Sequence, residues 1–138
     1  MAGYDTNLAA EFHVLSILHR LGLNATLTLG NRKAVDIVVT KRAGEVITID
    51  VKGQAGATGW FVDNVGLRSR RHFLVFVTFL DRITEPDTIP EIYVVPAPRL
   101  SGFTSKYPSG KRVVHLTTLR RKGGEYRNGW RQLVRRAL

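Results

Sequence analysis

The chain has 138 residues, of which 43% are apolar and 23% charged, a composition typical of a folded domain and not of a disordered chain. It has no cysteine, which excludes a disulfide framework, a zinc-thiolate site and a thiol nucleophile. No apolar run approaches the ~20 residues of a membrane span, and the first residues lack the basic start and cleavage site of a signal peptide. We therefore expect one domain over residues 1–138, located in the cytoplasm and away from membranes.

The charge is unevenly distributed along the chain. The 21 basic and 11 acidic residues give a net charge of +10. Residues 1–98 hold ten of each sign, so the whole excess lies in the basic C-terminal segment 99–138, where Glu125 is the one acidic residue. Such a segment is typical of nucleic-acid binding, because neutralised phosphates release their counterions. A solubilising surface or a patch for anionic membranes is the alternative interpretation of the charge alone.

The first predicted element is a helix that begins at a capping residue in the Asp-Thr-Asn sequence 5–7, runs to Leu21 and ends at Gly22. Its apolar stripe is predicted to contain Leu8, Phe12, Leu15 and Leu18. Glu11 and His19 project from within this stripe. A buried carboxylate is costly unless it is paired or neutralised, so Glu11 calls for a functional explanation.

Three short strands are predicted next, over residues 25–29, 34–40 and 45–52, the last two joined as a hairpin in which Gly44 can take a positive φ. The glycine-rich segment 53–59 is predicted to be a flexible rim. Trp60 and Phe61, which follow it, are assigned to the core, with stacking on a nucleic-acid base as the alternative.

The second half of the chain adds further strands and a basic helix. Residues 73–80 are apolar on both faces and predict a central strand. Residues 92–95 predict another strand, 112–118 an edge strand, and 128–137 a helix. The buried stripe of that helix is predicted to contain Trp130, Leu133, Val134 and Leu138. The fold class is therefore α/β, a mixed sheet flanked by helices.

Acidic side chains are predicted to meet on the hairpin. Side chains alternate along a strand, so Asp50 and Lys52 share one face, and a hairpin centred on Ala43 places Asp36 across from Asp50 on that face. Two carboxylates about 5 Å apart repel each other. The repulsion can be relieved by a raised pKa of one carboxyl, by a salt bridge to Lys52, or by a divalent cation. Oxygen ligands of this kind suit Mg²⁺ or Mn²⁺.

Glu11 on the first helix, Asp36 on one strand and the sequence Asp50-Val51-Lys52 on the next resemble the active-site pattern of the PD-(D/E)xK nuclease superfamily, which has the restriction-endonuclease-like fold. The compact layout is most similar to that of the archaeal Holliday junction resolvases. The resemblance implies a mixed sheet with an α-β-β-β-α-β core and a Mg²⁺-dependent endonuclease that hydrolyses DNA phosphodiester bonds. It also implies that Asp36, Asp50 and the backbone carbonyl of Val51 ligate the metal. Glu11 then completes the ligand shell directly or through water.

In the same pattern Lys52 orients the attacking water and stabilises charge in the transition state. The sequence departs from the pattern at two positions, since Val35 stands where proline is usual and Asp50 where glutamate is common. Three alternatives stay open. Lys52 can form a salt bridge in a sheet without catalytic function, or the chain can be a nucleic-acid-binding protein of the same fold that does not cleave. The third is a small basic protein associated with RNA or the ribosome.

Basic clusters give the predicted contacts to nucleic acid. These are Arg68, Arg70, Arg71, Arg120, Arg121, Lys122, Arg131 and Arg135, with solvated surface charge as the alternative for each. Gln54 is interpreted as either a residue beside the site or a plain loop residue, and His19 as either a site residue or a hydrogen-bonded one. DNA is the expected partner, RNA is left open, and cleavage of a DNA junction requires a symmetric homodimer.

Overall fold

The computed structural model describes residues 3–28, 35–62 and 69–137. Its first element, helix α1 (Thr6–Arg20), begins at Asp5, whose Oδ1 accepts the Leu8 N–H at 2.9 Å. The helix ends before Gly22, which has a φ of +79°. Both ends agree with the sequence prediction, because a side-chain acceptor and a glycine are what the two helix termini require.

The described residues form eight strands, two further α-helices and two short 3₁₀ segments. The strands are β1 (Ala25–Leu27), β2 (Ile37–Thr40), β3 (Val46–Gln54), β4 (Gly59–Phe61), β5 (His72–Thr78), β6 (Glu91–Pro96), β7 (Thr104–Lys106) and β8 (Arg112–His115). The helices are α2 (Leu116–Lys122) and α3 (Trp130–Ala137), and the 3₁₀ segments are Ala97–Phe103 and Gly124–Tyr126. None of the described helices is long and apolar enough to cross a membrane.

The main sheet has five strands in the order β1-β2-β3-β5-β6. Strands β3 and β5 are parallel and the other neighbours antiparallel, so the sheet is mixed, as predicted. The pairing of Ile37 with Ile49 confirms the predicted hairpin register. The apolar run at 73–80 contains the fully buried strand β5, and this confirms a central strand. Between β3 and β5 the described residues carry β4, where the α-β-β-β-α-β core places a helix, and residues 63–68 lie outside the described part.

The main sheet separates two apolar cores. Phe73, Val75 and Val77 of β5 point to the first core, which also contains side chains of α1 and α3. Leu74 and Phe76 point to the second core, which is covered by α2 and by a second sheet of order β4-β8-β7. The alternation follows from the two-residue period of a strand. It assigns the even-numbered side chains of the neighbouring β3 to the side of the second core.

The buried face of α1 differs from the predicted stripe. Leu18 is fully buried as predicted, but Leu8 is 42% and Phe12 53% exposed, and Ala10 is fully buried instead. A Cβ built on Gly53 would lie 2.7 Å from the Ala10 Cβ, so α1 approaches β3 through its small residue. The hydrophobic pattern favoured large side chains and therefore missed this contact. Glu11, at 6% exposure, is buried as expected although the stripe around it is different.

Three further predictions need correction. Strand β8 is the middle strand of the second sheet and not an edge, and it ends at His115, where α2 begins with Leu116. Trp60 belongs to the second core, but Phe61 is 56% exposed. Its ring contacts the Tyr107 ring edge at a centroid distance of 6.5 Å. Helix α3 buries Leu133 and Ala137, with Trp130 and Val134 partly buried. Residues 29, 34 and 138, which belonged to predicted strands or stripes, lie outside the described residues.

Candidate active site

A row of polar side chains follows one face of β3. Thr48, Asp50, Lys52 and Gln54 are half-buried and lie on the side of the second core. Leu74 and Phe76, on the same face of the adjacent strand β5, are fully buried. The polar row therefore borders the second core, and alternation along the strand holds the Asp50 and Lys52 side chains on one side of the sheet.

Asp36 lies just beyond the last paired residue of β2. Its N–H donates to the Ile49 carbonyl at 2.9 Å, and its Oδ2 accepts the Val51 N–H at 2.7 Å. Asp36 is thus not paired directly with Asp50, as a continued ladder would require. Because the N–H and C=O of one strand residue point to the same neighbouring strand, the Val51 carbonyl is directed to the side that holds the Asp36 carboxylate. The Asp36 carboxylate is therefore hydrogen-bonded to the β3 backbone at Val51, between Asp50 and Lys52.

A fully buried histidine contacts Asp50. The His72 Nε2 lies 3.2 Å from the Asp50 Oδ2, and its Nδ1 lies 2.8 Å from the Thr48 Oγ1. An ionised carboxylate only accepts hydrogen bonds, so Nε2 donates to Asp50 and, in the neutral imidazole, Nδ1 accepts from the Thr48 hydroxyl. The sequence analysis missed His72, because its proximity to Asp50 depends on the parallel pairing of Thr48 with His72.

Lys52 lines an open cavity of about 280 Å³ together with Asn7, Gly53, Gly59, Trp60 and Phe61. Within the described ranges Lys52 forms no salt bridge, so the predicted alternative of a bridge to Asp36 or Asp50 is not seen there. An ammonium group beside an open cavity can contact an anionic substrate. Asn7, at the start of α1, is a second polar residue of this cavity that the sequence analysis did not single out.

Glu11 is buried on α1, at 6% exposure. Helix α1 packs on the first core, whereas Asp50 and Lys52 face the second. No group of three or more His, Asp or Glu side chains that could hold a metal ion is found among the described residues. The structure therefore places the Asp36 carboxylate beside the β3 residue that follows Asp50, and the role of Glu11 as a metal ligand stays a prediction.

The donor set at β3 matches a hard divalent cation. Asp36 and Asp50 supply carboxylate oxygens, and Val51 supplies a carbonyl on the side of Asp36. Magnesium is usually held in proteins by one or two carboxylates together with waters and substrate phosphate oxygens. Two aspartates and one carbonyl therefore fit Mg²⁺, and Mn²⁺ by the same preference for oxygen.

Gln54 holds the loop that follows β3. Its Oε1 accepts the Thr58 N–H at 3.2 Å and the Gly59 N–H at 3.3 Å, while its Nε2 is buried with no partner among the described residues. The Asp81 N–H also donates to the Ala55 carbonyl at 2.7 Å. These bonds tie down the segment that was predicted to be a flexible rim.

His19 lies at the other end of α1 from Asn7. Its Nε2 is 2.8 Å from the Ala25 carbonyl oxygen at the start of β1. This contact agrees with the hydrogen-bonded interpretation of His19 rather than with a role at the site.

The predicted nucleic-acid contacts differ in availability. The Arg120 guanidinium holds the buried Glu91 carboxylate with Nη2–Oε1 and Nε–Oε2 distances of 2.8 and 3.0 Å. This bond lowers the pKa of Glu91, whose carboxylate also accepts the Tyr93 hydroxyl at 2.6 Å. Arg120 therefore stabilises the buried Glu91 carboxylate, and its contact with nucleic acid stays a prediction. Arg71 also forms an ion pair, with its Nη2 3.2 Å from the Glu45 Oε1.

The other predicted cations are exposed. Arg121, Arg131 and Arg135 extend from α2 and α3 into solvent, and the Lys122 Nζ lies 5.9 Å from the centre of the Phe103 ring. Arg68 lies outside the described residues, and Arg70 lines a cleft together with Arg99 and Arg136.

No protein-family model matches the chain, and no curated protein matches its sequence. Among solved structures, the chain is similar to a bacterial homing endonuclease, I-Ssp6803I, with a TM-score of 0.58 and 16% sequence identity. The similarity covers 96% of this chain and 91% of that one. The chain therefore shares the fold of this nuclease, with a five-stranded mixed sheet flanked by helices.

Proposed function

We propose that the chain is a Mg²⁺-dependent endonuclease of the PD-(D/E)xK type that hydrolyses phosphodiester bonds in DNA. The observation that carries this proposal is the hydrogen bond from the Val51 N–H to the Asp36 carboxylate. Because Val51 lies between Asp50 and Lys52, this bond places the Asp36 carboxylate beside both of them. Two carboxylates and a lysine are thereby gathered at three consecutive residues of one strand. The fold shared with a homing endonuclease and the net charge of +10 support the same function.

Asp36, Asp50 and the Val51 carbonyl would hold Mg²⁺ or Mn²⁺, and Glu11 would assist directly or through a water molecule. When bound, such an ion lowers the pKa of coordinated water and neutralises charge that develops on the phosphate oxygens.

Lys52 acts on the substrate from the cavity that it lines. Its ammonium group donates to a non-bridging phosphate oxygen or to the attacking water, and it adds a positive charge where the transition state gains negative charge. Since Lys52 has no salt bridge in the described part of the chain, this charge is available to a phosphate. Removal of one such stabilising donor lowers kcat by ~10²–10³ in other hydrolases.

His72 is a positioning residue for Asp50. Its Nε2–H, 3.2 Å from Oδ2, fixes the orientation of the carboxylate, and the Thr48 hydroxyl in turn fixes the imidazole. Outer partners of this kind orient metal-ligating side chains and strengthen ligation. The Thr48, His72 and Asp50 side chains therefore act as one hydrogen-bonded unit.

A nucleic-acid-binding protein that does not cleave is the second candidate function. The absence of a three-carboxylate group among the described residues favours it. The two candidates differ in turnover, because both require the basic segment but only the nuclease requires Asp50.

A cleavage assay on linear, nicked, flapped and four-way DNA and on RNA, with Mg²⁺, Mn²⁺ or EDTA, tests the proposal. We expect metal-dependent cleavage of DNA that is lost in Asp50→Asn while DNA binding is retained. If the folded protein binds DNA but cuts no substrate with either ion, the second candidate is correct. Cleavage of the four-way junction would in addition predict a homodimer, to be checked by light scattering on the complex.

A further inference from the structure

A cleft of about 450 Å³ opens near the start of β5, between the 3₁₀ segment Ala97–Phe103 and α3. It is lined by Arg70, Pro96, Pro98, Arg99, Glu125, Tyr126, Gln132 and Arg136. A second concavity of about 340 Å³ shares Gln132 and Arg136 with it and adds Arg135. Together these surfaces, which we call the arginine cleft, carry four arginines and one glutamate.

Packing of the surrounding elements fixes the backbone positions of these arginines. Helix α3 buries Leu133 and Ala137 in the first core, which fixes its rotation and leaves Arg135 and Arg136 exposed. Arg99 follows Pro98 in the 3₁₀ segment, where the proline ring restricts the backbone. The cleft is therefore shaped by packing and not by ion pairs among its own residues.

The charge of the cleft is not neutralised within the described part of the chain. Arg70, Arg99 and Arg136 form no salt bridge there, whereas the neighbouring Arg71 and the α2 residue Arg120 each bind a glutamate. Like charges gathered in a concave surface raise its potential and attract anions. The arginine cleft is therefore suited to an anionic ligand with more than one charge.

The side-chain chemistry favours phosphate groups. A guanidinium is planar and offers parallel N–H donors that match two phosphate oxygens, and it stays charged at all relevant pH values. We propose that the arginine cleft binds backbone phosphates of DNA at a short distance from the bond that is cut. The identity of the ligand as the substrate DNA rests on the proposed function.

Strand pairing gives the backbone distance between the rim of the cleft and the strand that carries the candidate site. Pro96 pairs with Phe73, and Phe73 pairs with Ile49, which adjoins Asp50. Two strand spacings of ~4.8 Å place the rim of the cleft about 10 Å from β3 at this level.

The test is the salt dependence of binding to a fluorescein-labelled DNA duplex, measured by anisotropy in EDTA so that no strand is cut. For the double variant Arg99→Ala/Arg136→Ala we expect the slope of log K against log salt to become shallower by about 2, because each lost phosphate contact removes ~0.9. Glu125→Gln should tighten binding, since it removes the one carboxylate of the cleft.

Arg82→Ala is the matched control, because Arg82 is exposed among the acidic residues Asp81, Glu85 and Asp87 and should leave the slope unchanged. The inference would be overturned if the double variant kept the wild-type slope while unfolding at the same urea concentration as the wild type. It would also be overturned if Arg82→Ala changed the slope as much as the double variant does. Binding in EDTA is independent of turnover. A slope that does not change in the double variant therefore refutes only DNA binding by the arginine cleft. Absence of cleavage refutes only the proposed nuclease activity.

Discussion

Replacement of His72 tests whether Asp50 must be held in one orientation. His72→Ala removes the donor that lies 3.2 Å from the Asp50 Oδ2 and leaves the Thr48 hydroxyl without its partner at 2.8 Å. Asp50 itself keeps its charge and its place on β3. Any loss of turnover with the fold intact therefore reports on orientation of the carboxylate.

The expected size of the effect follows from comparable outer contacts, whose removal lowers activity or metal affinity by ~10–100-fold. This corresponds to about 1.4–2.7 kcal/mol, at ~1.36 kcal/mol for each factor of ten. His72 is fully buried, so His72→Ala should also lower the free energy of unfolding, by about 1–3 kcal/mol for the polar partner left unsatisfied. His72→Gln retains an N–H donor and should recover part of the activity.

The assay is the cleavage rate as a function of Mg²⁺ concentration, with urea unfolding measured in parallel. We expect the Mg²⁺ concentration for half-maximal rate to rise in His72→Ala and to recover in His72→Gln. Thr48→Val, which removes only the outer hydrogen bond, should give a smaller shift in the same direction. A folded His72→Ala protein with the wild-type rate and the wild-type Mg²⁺ dependence would refute the positioning role.

Three further predictions concern the fold around the site. Gly53→Ala should destabilise the protein by about 1–3 kcal/mol in urea unfolding, because the new Cβ would lie 2.7 Å from the Ala10 Cβ; unchanged stability would contradict the close approach of α1. The pKa of Glu91 is lowered, chiefly by the hydrogen bond from Arg120, so its stabilisation is present at neutral pH and is lost as the pH falls from the ordinary glutamate range through the native pKa; Glu91→Gln should flatten this acid limb. Burial, followed by the bond to Glu91, raises the pKa of Tyr93 to about 12, so stability should fall as the pH rises from about 10 to about 12, and an ultraviolet titration of Tyr93→Phe should lack this late ionisation.

Local features of the fold could be predicted from the sequence. The Asp5 cap and Gly22 end of α1, the hairpin register and the central strand each depend on residues close together in the chain. The alternation that places Asp50 and Lys52 on one face is also local, because it needs only the period of a strand. The shared face of Asp50 and Lys52 could therefore be predicted from the sequence.

Contacts between distant segments could not be predicted. His72 contacts Asp50, 22 residues earlier in the chain, because β3 and β5 are parallel neighbours in the sheet. No local pattern encodes which strand lies beside β3. The rotation of α1 follows from the fit of Ala10 against Gly53, whereas hydrophobic periodicity gives most weight to large side chains. The buried position of Glu11 agreed with the prediction.

The basic segment shows the same division. Its net charge was visible in the sequence, but the availability of each cation depends on tertiary partners. Arg120 belongs to an ion pair with Glu91, 29 residues earlier, while Arg99 has no basic neighbour in sequence and was overlooked. A charge count therefore indicates a kind of ligand, whereas tertiary packing decides which cations are exposed.

The most direct test of the account is the single-turnover cleavage rate of Lys52→Ala on the DNA that the wild-type protein cuts in Mg²⁺. The account predicts a fall of about 100-fold or more with DNA binding and the free energy of unfolding essentially unchanged, because the ammonium group acts on the reacting phosphate and has no salt bridge in the described chain. Lys41→Ala, which removes a lysine paired with Glu45 at 3.5 Å, should cut at the wild-type rate. Cleavage by folded Lys52→Ala at the wild-type rate would contradict the catalytic centre proposed on β3.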